Sequence, residues 1–154
     1  MANAYGLQTM YGLSASIGTE LTGTPAAWTY ATLGDGIDNI SEALNEVVQQ
    51  YFFLNKNGFA ENHVTGMAPT FTFTGRRVIG DTAQDFIFDA KYKLDTYRQS
   101  SFKLTYTNAS AKLVTVTCDC TIANVQEWSG ATTDDSAISF ELRFDGAPTV
   151  TVAS

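Results

Sequence analysis

The sequence predicts a mainly β protein: an antiparallel sandwich or barrel with one amphipathic α-helix packed at its side. Three observations predict this class. Several segments alternate apolar and polar residues with the two-residue period of a strand, turn-forming residues separate these segments, and one segment has the spacing of a helical face. With 154 residues, the chain is expected to form one domain around a single core.

The N-terminal part is expected to be the least ordered. Residues 1–24 are small, polar and rich in Gly and Thr, which is typical of a flexible arm. The folded β domain is therefore predicted to cover residues 25–154. Its first strand is predicted at residues 26–33, where aromatic residues and Thr predominate, and Gly34 to Gly36 follow as a turn.

The next segment is rich in apolar residues. Residues 42–62 contain a cluster that is compatible with both the helix and the strand period, and it ends at an Asn-Lys-Asn-Gly turn. We interpret it as a protruding loop or hairpin. A strand is then predicted for residues 64–74, because Phe71 and Phe73 alternate with Thr.

One amphipathic helix is predicted from Asp81 to Leu94. Asp81 suits the N-cap position, and Gln84, three residues later, matches the capping-box partner. Apolar residues recur on one helical face. The residues predicted to carry this face into the core are Ala83, Phe86, Ile87, Ala90 and Leu94.

The rest of the chain has only strand patterns. Residues 101–106 and 113–125 are predicted to form a hairpin across an Asn-Ala-Ser turn. After a polar loop, residues 138–144 alternate apolar and polar side chains. Asp145-Gly146 then predicts a tight hairpin turn into the last strand.

The composition excludes several classes of function. The net charge is −7, from sixteen acidic and nine basic residues, which argues against a surface that grips nucleic acid through its phosphates. No apolar segment reaches the length of a membrane span, and the N-terminus lacks the features of a signal peptide, so a soluble cytoplasmic protein is expected.

Residues that could carry chemistry are scarce. His63 is the single histidine and is expected to be solvated, and Cys118 and Cys120 lie two apart in a predicted strand, where they suit structural thiols. No nucleophile, carboxylate pair or ligand set has a recognisable spacing. The chain is therefore expected not to be an enzyme and to use no cofactor or metal.

Three segments resemble bacteriophage tail-tube (major tail) proteins. FTFTGRRVIGDTAQDFIFDAKYKL is similar to a motif in which a strand ends in Ser/Thr-Gly, a basic residue follows, and Gly-Asp opens a helix. NEVVQQYFFLNKNGFAENHVTG and SAISFELRFDGAPTV are similar to the segments before and after it, and together they cover about residues 40–150. The matching positions are Gly75, Arg76, Gly80 and Asp81, then Gly58 and Gly66, and finally Asp145, Gly146 and Pro148.

This resemblance implies a structural virion protein in the phage tail. Subunits would join their inner sheets into hexameric rings, which stack head to tail into the channel for genome delivery. The implied partners are other copies of the chain, the tape-measure protein and viral DNA in the lumen without sequence specificity, and the tail terminator and distal tail or baseplate proteins. Assembly in the host cytoplasm and no membrane binding by this chain are also implied.

Two functional hypotheses follow for particular residues. Aromatic residues and Leu54 of the 42–62 segment would contact a neighbouring subunit or ring, although an ordinary core role is equally compatible for Phe52 and Phe53. These predicted interface residues are Tyr51, Phe52, Phe53, Leu54 and Phe59. The surplus of acidic residues would line the lumen and let DNA slide by like-charge repulsion.

Two alternatives stay open. A small β-sandwich binding module of the carbohydrate or adhesin type would use Trp28 and Trp128 as a platform, although both suit a core or interface position better. A secretion-system tube relative would share the architecture of the tail tube.

Overall fold

The computed structural model describes residues 7–154, which form ten β-strands, one α-helix and three short 3-10 turns. The elements are β1 (Ser14–Thr22), β2 (Ala27–Thr32), β3 (Ile37–Ala43), β4 (Val47–Tyr51), β5 (Glu61–Gly66), β6 (Thr70–Arg76), α1 (Thr82–Asp89), β7 (Gln99–Thr107), β8 (Leu113–Gln126), β9 (Ala137–Phe144) and β10 (Thr149–Val152). The predicted strand at residues 26–33 and the predicted β7–β8 hairpin are confirmed. No helix within these residues is long and apolar enough to cross a membrane.

Eight strands form one antiparallel sheet in the order β2-β1-β7-β8-β9-β6-β3, with β10 paired to β8. The sheet curls over itself. The rings of Phe71 on β6 and Phe102 on β7 have centroids 4.9 Å apart, although β8 and β9 separate these strands in the sheet. The predicted class, a β-sandwich or barrel with a helix at its side, is therefore confirmed.

The core lies between the two layers and is built from the inward residue of each alternating pair. Phe73, Phe102 and Phe140 are fully buried, and each contributes about 1.5–3 kcal/mol through removal of its ring from water. Phe73 stacks on Phe140 with centroids 5.1 Å apart. Cys118 and Cys120 are also buried, with free thiols, and burial raises the pKa of Cys120, as expected for structural thiols.

The predicted arm at residues 1–24 is wrong for its second half. Residues 14–22 form β1, which pairs with β2 on one side and β7 on the other. Ala15 and Ile17 are buried in the core, because these two apolar residues alternate with Ser14 and Ser16 and occupy the inward positions of the strand. Residues 1–6 of the predicted arm lie outside the described part of the chain.

Helix α1 begins where predicted and ends earlier. The Asp81 carboxylate accepts a hydrogen bond from the Gln84 backbone N–H at 3.1 Å, which confirms the N-cap. Phe86, Ile87 and Ala90 pack in or against the core. The helix ends at Asp89, however, and Leu94 is 80% exposed, so its predicted place in the core is wrong.

After Asp89 the chain continues in tight turns, in which Lys91 N–H donates to the Phe88 carbonyl at 3.3 Å and Lys93 N–H donates to the Ala90 carbonyl at 3.0 Å. The Arg98 guanidinium donates to the carbonyl oxygens of Lys91 and Lys93, at 2.6 and 3.0 Å, and so stabilises these turns. Phe88, which the predicted face omitted, is buried instead and meets Phe140 edge-on at 6.2 Å.

The predicted strand at residues 64–74 is two strands. β5 ends at Gly66, and β6 begins at Thr70 after a break that contains Pro69. β5 pairs with β4 in a separate two-stranded sheet, whereas β6 lies in the main sheet between β9 and β3.

The predicted hairpin at Asp145-Gly146 is also wrong. Residues 120–126 of β8 pair with β9, residues 114–117 of β8 pair with β10, and both partners run antiparallel to it. β9 and β10 therefore run in the same direction along one side of β8. Asp145 N–H donates to the Asp119 carbonyl at 2.8 Å, and Gly146 adopts φ +94°, so these residues form an offset between two collinear strands.

Candidate assembly surfaces

The two-stranded sheet of β4 and β5 leaves the body of the protein between β3 and β6; we call residues 46–66 the ribbon. Its base is fixed, because Ala68 N–H donates to the Leu44 carbonyl at 2.9 Å and the Asn45 side chain donates to the Ala68 carbonyl at 3.0 Å. The prediction of a protruding hairpin at this segment agrees with this arrangement, in which both strands are exposed or half-buried throughout.

The five predicted interface residues lie together at the end of the ribbon and are all exposed. Phe52, Leu54 and Phe59 are 67%, 101% and 76% exposed. Tyr51 stacks on Phe53 at 5.5 Å and meets the solvent-exposed His63 edge-on at 5.8 Å. The alternative that Phe52 and Phe53 belong to the core of their own subunit is therefore wrong.

A second exposed aromatic surface follows helix α1 and lies beside the C-terminal part of β8. It consists of Tyr92, Leu94, Tyr97 and Trp128, which we call the platform, and all four side chains are more than half exposed. The Lys91 ammonium lies 4.9 Å from the Tyr92 ring and 5.6 Å from the Trp128 ring. Lys93 lies 5.8 Å from the ring of Tyr97.

A nearly buried carboxylate holds this surface to the body. Glu127 accepts from Arg77 Nε at 2.7 Å and from Lys91 Nζ at 2.5 Å, and the Glu127 side chain is only 10% exposed. Burial by itself favours the neutral acid, but the hydrogen bonds from Lys91 and Arg77 outweigh it and hold the pKa of Glu127 below its ordinary value.

Arg77 is the centre of this network. Its guanidinium also bonds Asp85 at 2.8 Å and the Val78 carbonyl at 2.8 Å, and lies 4.8 Å from the centroid of the Phe88 ring. Burial opposes the charge, yet Glu127 and Asp85 raise the pKa of Arg77. Sequence reasoning chose its neighbour Arg76, which is exposed and reaches only the Asp135 carbonyl at 3.4 Å.

Gln84 joins the helix to the strand ends. Its buried amide donates to the carbonyls of Asp35 and Arg76, at 2.8 and 3.1 Å, and accepts from Val78 N–H at 2.9 Å. The side chain thus serves three backbone groups and does not return to Asp81 as a capping-box partner would.

The remaining motif positions have structural roles. A Cβ on Gly75 would overlap the Gly36 carbonyl oxygen, so glycine permits the close approach of β6 to the turn before β3. Gly80 N–H donates to Asp85 Oδ2 at 3.1 Å just before the Asp81 cap. Three matched positions remain. Gly58 lies in the turn of the ribbon, Gly66 is the last residue of β5, and Pro148 directly precedes β10.

The outward face of β3, β6, β9 and the C-terminal part of β8 is polar; we call it the polar face. Its cross-strand neighbours carry hydroxyl, amide or charged groups, apart from Ala123, and are Asn39, Ser41, Thr70, Thr72, Thr74, Arg76, Ser139, Glu141, Arg143, Thr121 and Ala123. Arg143 pairs with Glu141 at 2.9 Å, and the Thr121 hydroxyl bonds the Asp145 carboxylate at 2.6 Å. Glu141 also accepts from Asn124 at 2.9 Å.

This face has two margins without a strand partner among residues 7–154. One is the outer side of β3, and the other is the side of β8 that faces away from β9 after Thr121, where β7 stops pairing. Phe144 N–H donates to the Pro69 carbonyl, so odd-numbered β6 residues bond β9 and even-numbered ones bond β3. It follows that Ser41 bonds β6 while the N–H of Glu42 points outward.

Within residues 7–154, no group of three or more His, Cys, Asp or Glu side chains is placed to hold a metal ion.

Comparison with known proteins decides the fold. No family model and no curated protein matches the sequence. Among solved structures, the chain is similar to a subunit of the tail of an empty gene transfer agent particle, solved with C6 symmetry, with TM-score 0.69, 13% identity, and 94% of this chain and 99% of that chain covered. The chain has the tail-tube fold.

Two further structures with this fold come from a tube cap and from a sheath-tube complex. The cap that terminates the tube of the anti-feeding prophage has TM-score 0.62 and 15% identity, over 99% of this chain and 95% of that chain. A protein of the PVC sheath-tube complex, an extracellular contractile injection system, has TM-score 0.58 and 15% identity, over 97% and 93%. The resemblance seen in the sequence is thus confirmed for the tail-tube fold.

Proposed function

We propose that this chain is a structural, non-enzymatic subunit of a phage tail tube, which polymerises into stacked rings around a channel. The observation that carries the proposal is the ribbon. On a chain with the tail-tube fold, it holds an aromatic cluster away from the subunit's own core, and Phe52, Leu54 and Phe59 are largely exposed to water. Apolar surface of this kind is stabilised when a partner removes it from water.

Ring closure would use the two margins of the polar face, where the Ile122 carbonyl accepts from Arg98 and the rest of residues 122–126 have no strand partner on that side in the described part of the chain. β3 and β9 run one way and β6 and β8 run the other, so β3 of one copy meets residues 122–126 of the next in antiparallel orientation. Four strands per copy therefore repeat without a mismatch in direction. Six copies per ring is our proposal, since the related gene transfer agent tail has C6 symmetry.

In this arrangement the polar face would line the channel. Its hydroxyl groups bind water, and its charged residues are Glu141, Arg143, Asp145 and Arg76, which continues the outward row of β6. Acids and bases are equal in number on this face, so the wall would carry no surplus of positive charge to hold phosphates. The acidic surplus of the chain would then lie mostly on other surfaces, and the acidic-lumen hypothesis gains no support from this face.

The proposed partners follow from this role. Other copies of the chain would form the tube, the tape-measure protein and viral DNA would occupy the lumen, and a terminator and distal tail or baseplate proteins would close the ends. The proposed location is the tail of the virion, with assembly in the host cytoplasm.

A second candidate is the tube of a contractile injection system, because the anti-feeding prophage cap and the PVC complex share the fold. The binding-module alternative has less support. Trp28 is half-buried and one face of its ring covers Gly18, where a Cβ would come within 2.7 Å of it, so that face is closed to a ligand.

Removal of the ribbon tests the proposal. Leu44 and Ala68 are already joined by a 2.9 Å backbone hydrogen bond, so a short glycine turn can replace residues 46–66 without strain in the main sheet. The variant is expected to remain a folded monomer, while the unmodified protein forms rings or tubes at high concentration in negative-stain electron microscopy. Tubes of normal length from the variant would overturn the role of the ribbon, and monomers alone from the unmodified protein would favour a binding module.

A further inference from the structure

We propose that the platform is the docking site for the ribbon of a second copy of this chain. The inference rests on the proposed function for the presence of neighbouring copies, and it names the surface that receives the ribbon. Three properties of the described residues lead to it: position, charge and exposed aromatic area.

Position comes from the direction of the strands. If β3 of one copy lies antiparallel beside residues 122–126 of the next, the end of β3 lies beside Ile122. Arg98 marks the same place on the receiving copy, because its Nη1 donates to the Ile122 carbonyl at 3.2 Å. The ribbon starts three residues after β3 ends, so it emerges next to Tyr97 and the rest of the platform.

Charge is complementary between the two surfaces. The ribbon, residues 46–66, contains two acidic residues and one basic residue. Residues 90–98 contain three basic residues and one acidic residue, and they keep a net positive charge when Glu127, the partner of Lys91, is counted with them. The platform is thus a locally cationic segment in a chain whose net charge is −7. Opposite charges favour this pairing and disfavour ribbon against ribbon or platform against platform, as a head-to-tail contact requires.

Both surfaces expose large rings that their own subunit leaves uncovered. Tyr92 and Tyr97 are 88% and 69% exposed, and on the ribbon Phe52 and Phe59 are exposed to a similar degree. Aromatic residues of this kind, with a basic residue beside them, carry much of the binding energy at protein interfaces. Because Lys91 and Glu127 hold Trp128 and Tyr92 in place, the platform is preorganised for binding.

Cysteine cross-linking between two variants tests the contact directly. Phe59→Cys protein is mixed with Tyr97→Cys protein under assembly conditions and oxidised, and the native thiols of Cys118 and Cys120 are buried and do not compete. A disulfide-linked dimer that contains one copy of each variant is expected. The matched control pairs Phe59→Cys with Ile79→Cys, a site that is also 76% exposed but lies before helix α1, and no cross-link is expected there.

A second measurement uses affinity. The surface variant Tyr92→Ser/Tyr97→Ser should fold normally, because both side chains are exposed, and should raise the protein concentration needed for assembly at least about tenfold. Normal tubes from this variant, or equal cross-linking at positions 79 and 97, would overturn the docking site while leaving the tail-tube role intact. Absence of any assembly by the unmodified protein would overturn both.

Discussion

Replacement of Glu127 by Ala should lower the free energy of unfolding of the single subunit, because it removes bonds within the subunit. Glu127 is the shared acceptor of Arg77 and Lys91, and Arg77 is only 8% exposed, so the substitution leaves a buried guanidinium with one fewer anion. Loss of one partner of a buried ion pair costs about 3–5 kcal/mol. Arg77 keeps Asp85 at 2.8 Å and Lys91 can turn toward water, so we expect about 3 kcal/mol, the low end.

The loss can be measured by urea unfolding and by thermal unfolding of the monomer, at a concentration below that of assembly. In a chain of this length, 1 kcal/mol shifts Tm by about 2–4 °C, so a decrease of roughly 6–12 °C is expected. The paired variant Arg77→Met/Glu127→Leu removes both buried charges and should recover most of the stability. A decrease of less than about 1 kcal/mol for Glu127→Ala would refute the view that this network holds the helix to the sheet.

The same carboxylate predicts an acid dependence of stability. The pKa of Glu127 is lowered in the folded state by Lys91 and Arg77, against the opposing effect of burial. The stabilisation from this group is therefore complete above the ordinary Glu pKa of about 4.3 and is lost as the pH falls through the lower folded value. The free energy of unfolding, measured from pH 6 to pH 2, should fall more steeply for the native protein than for Glu127→Gln. The same dependence on pH in both proteins would contradict this.

Three other predictions concern separate parts of the molecule. Glu42→Pro removes an outward N–H of β3 and should give folded monomers that do not close rings, whereas Glu42→Ala should assemble; rings from the Pro variant, seen by electron microscopy, would count against the β3 margin. Leu94→Asp should leave the monomer as stable as the native protein, because Leu94 is exposed. A large decrease of Tm in thermal unfolding would mean that Leu94 packs in the core after all. Gly75→Ala should lower the free energy of unfolding by about 1–3 kcal/mol, because its Cβ overlaps the Gly36 carbonyl, and an unchanged urea midpoint would disprove that contact.

Local patterns were sufficient for much of the fold. Alternation of Phe71 and Phe73 with Thr fixes which side of β6 is buried, and the Asp81 cap is a contact between residues three apart. Such features depend on neighbours in the sequence. The exposed cluster around Phe52 could be located for the same reason, although its strand structure depends on pairing with β5.

The errors arise where distant residues decide the structure. Leu94 continues the helical spacing, but the helix ends at Asp89, and Arg98 bonds the turns that follow to the Ile122 carbonyl of β8. Asp145-Gly146 has the composition of a hairpin turn, yet the length of β8 offers one continuous side to both β9 and β10. These outcomes depend on where strands meet in three dimensions.

The same limit applies to the candidate site. Arg77 and Glu127 are fifty residues apart, so no local pattern joins them, and Glu127 in turn bonds the Lys91 that lies beside Trp128 in the platform. The charges of the ribbon and of residues 90–98 were present in the sequence, and they became informative once strand order placed both segments at the margins of one face.

A helical reconstruction of the assembled protein by cryo-electron microscopy tests the central claim most directly. It should resolve rings in which β3 of each copy lies antiparallel to residues 122–126 of the next, with Ser41, Thr72 and Glu141 facing a hollow axis. Rings with this face turned outward, or a preparation that stays at the mass of a single chain at every concentration, would contradict the account.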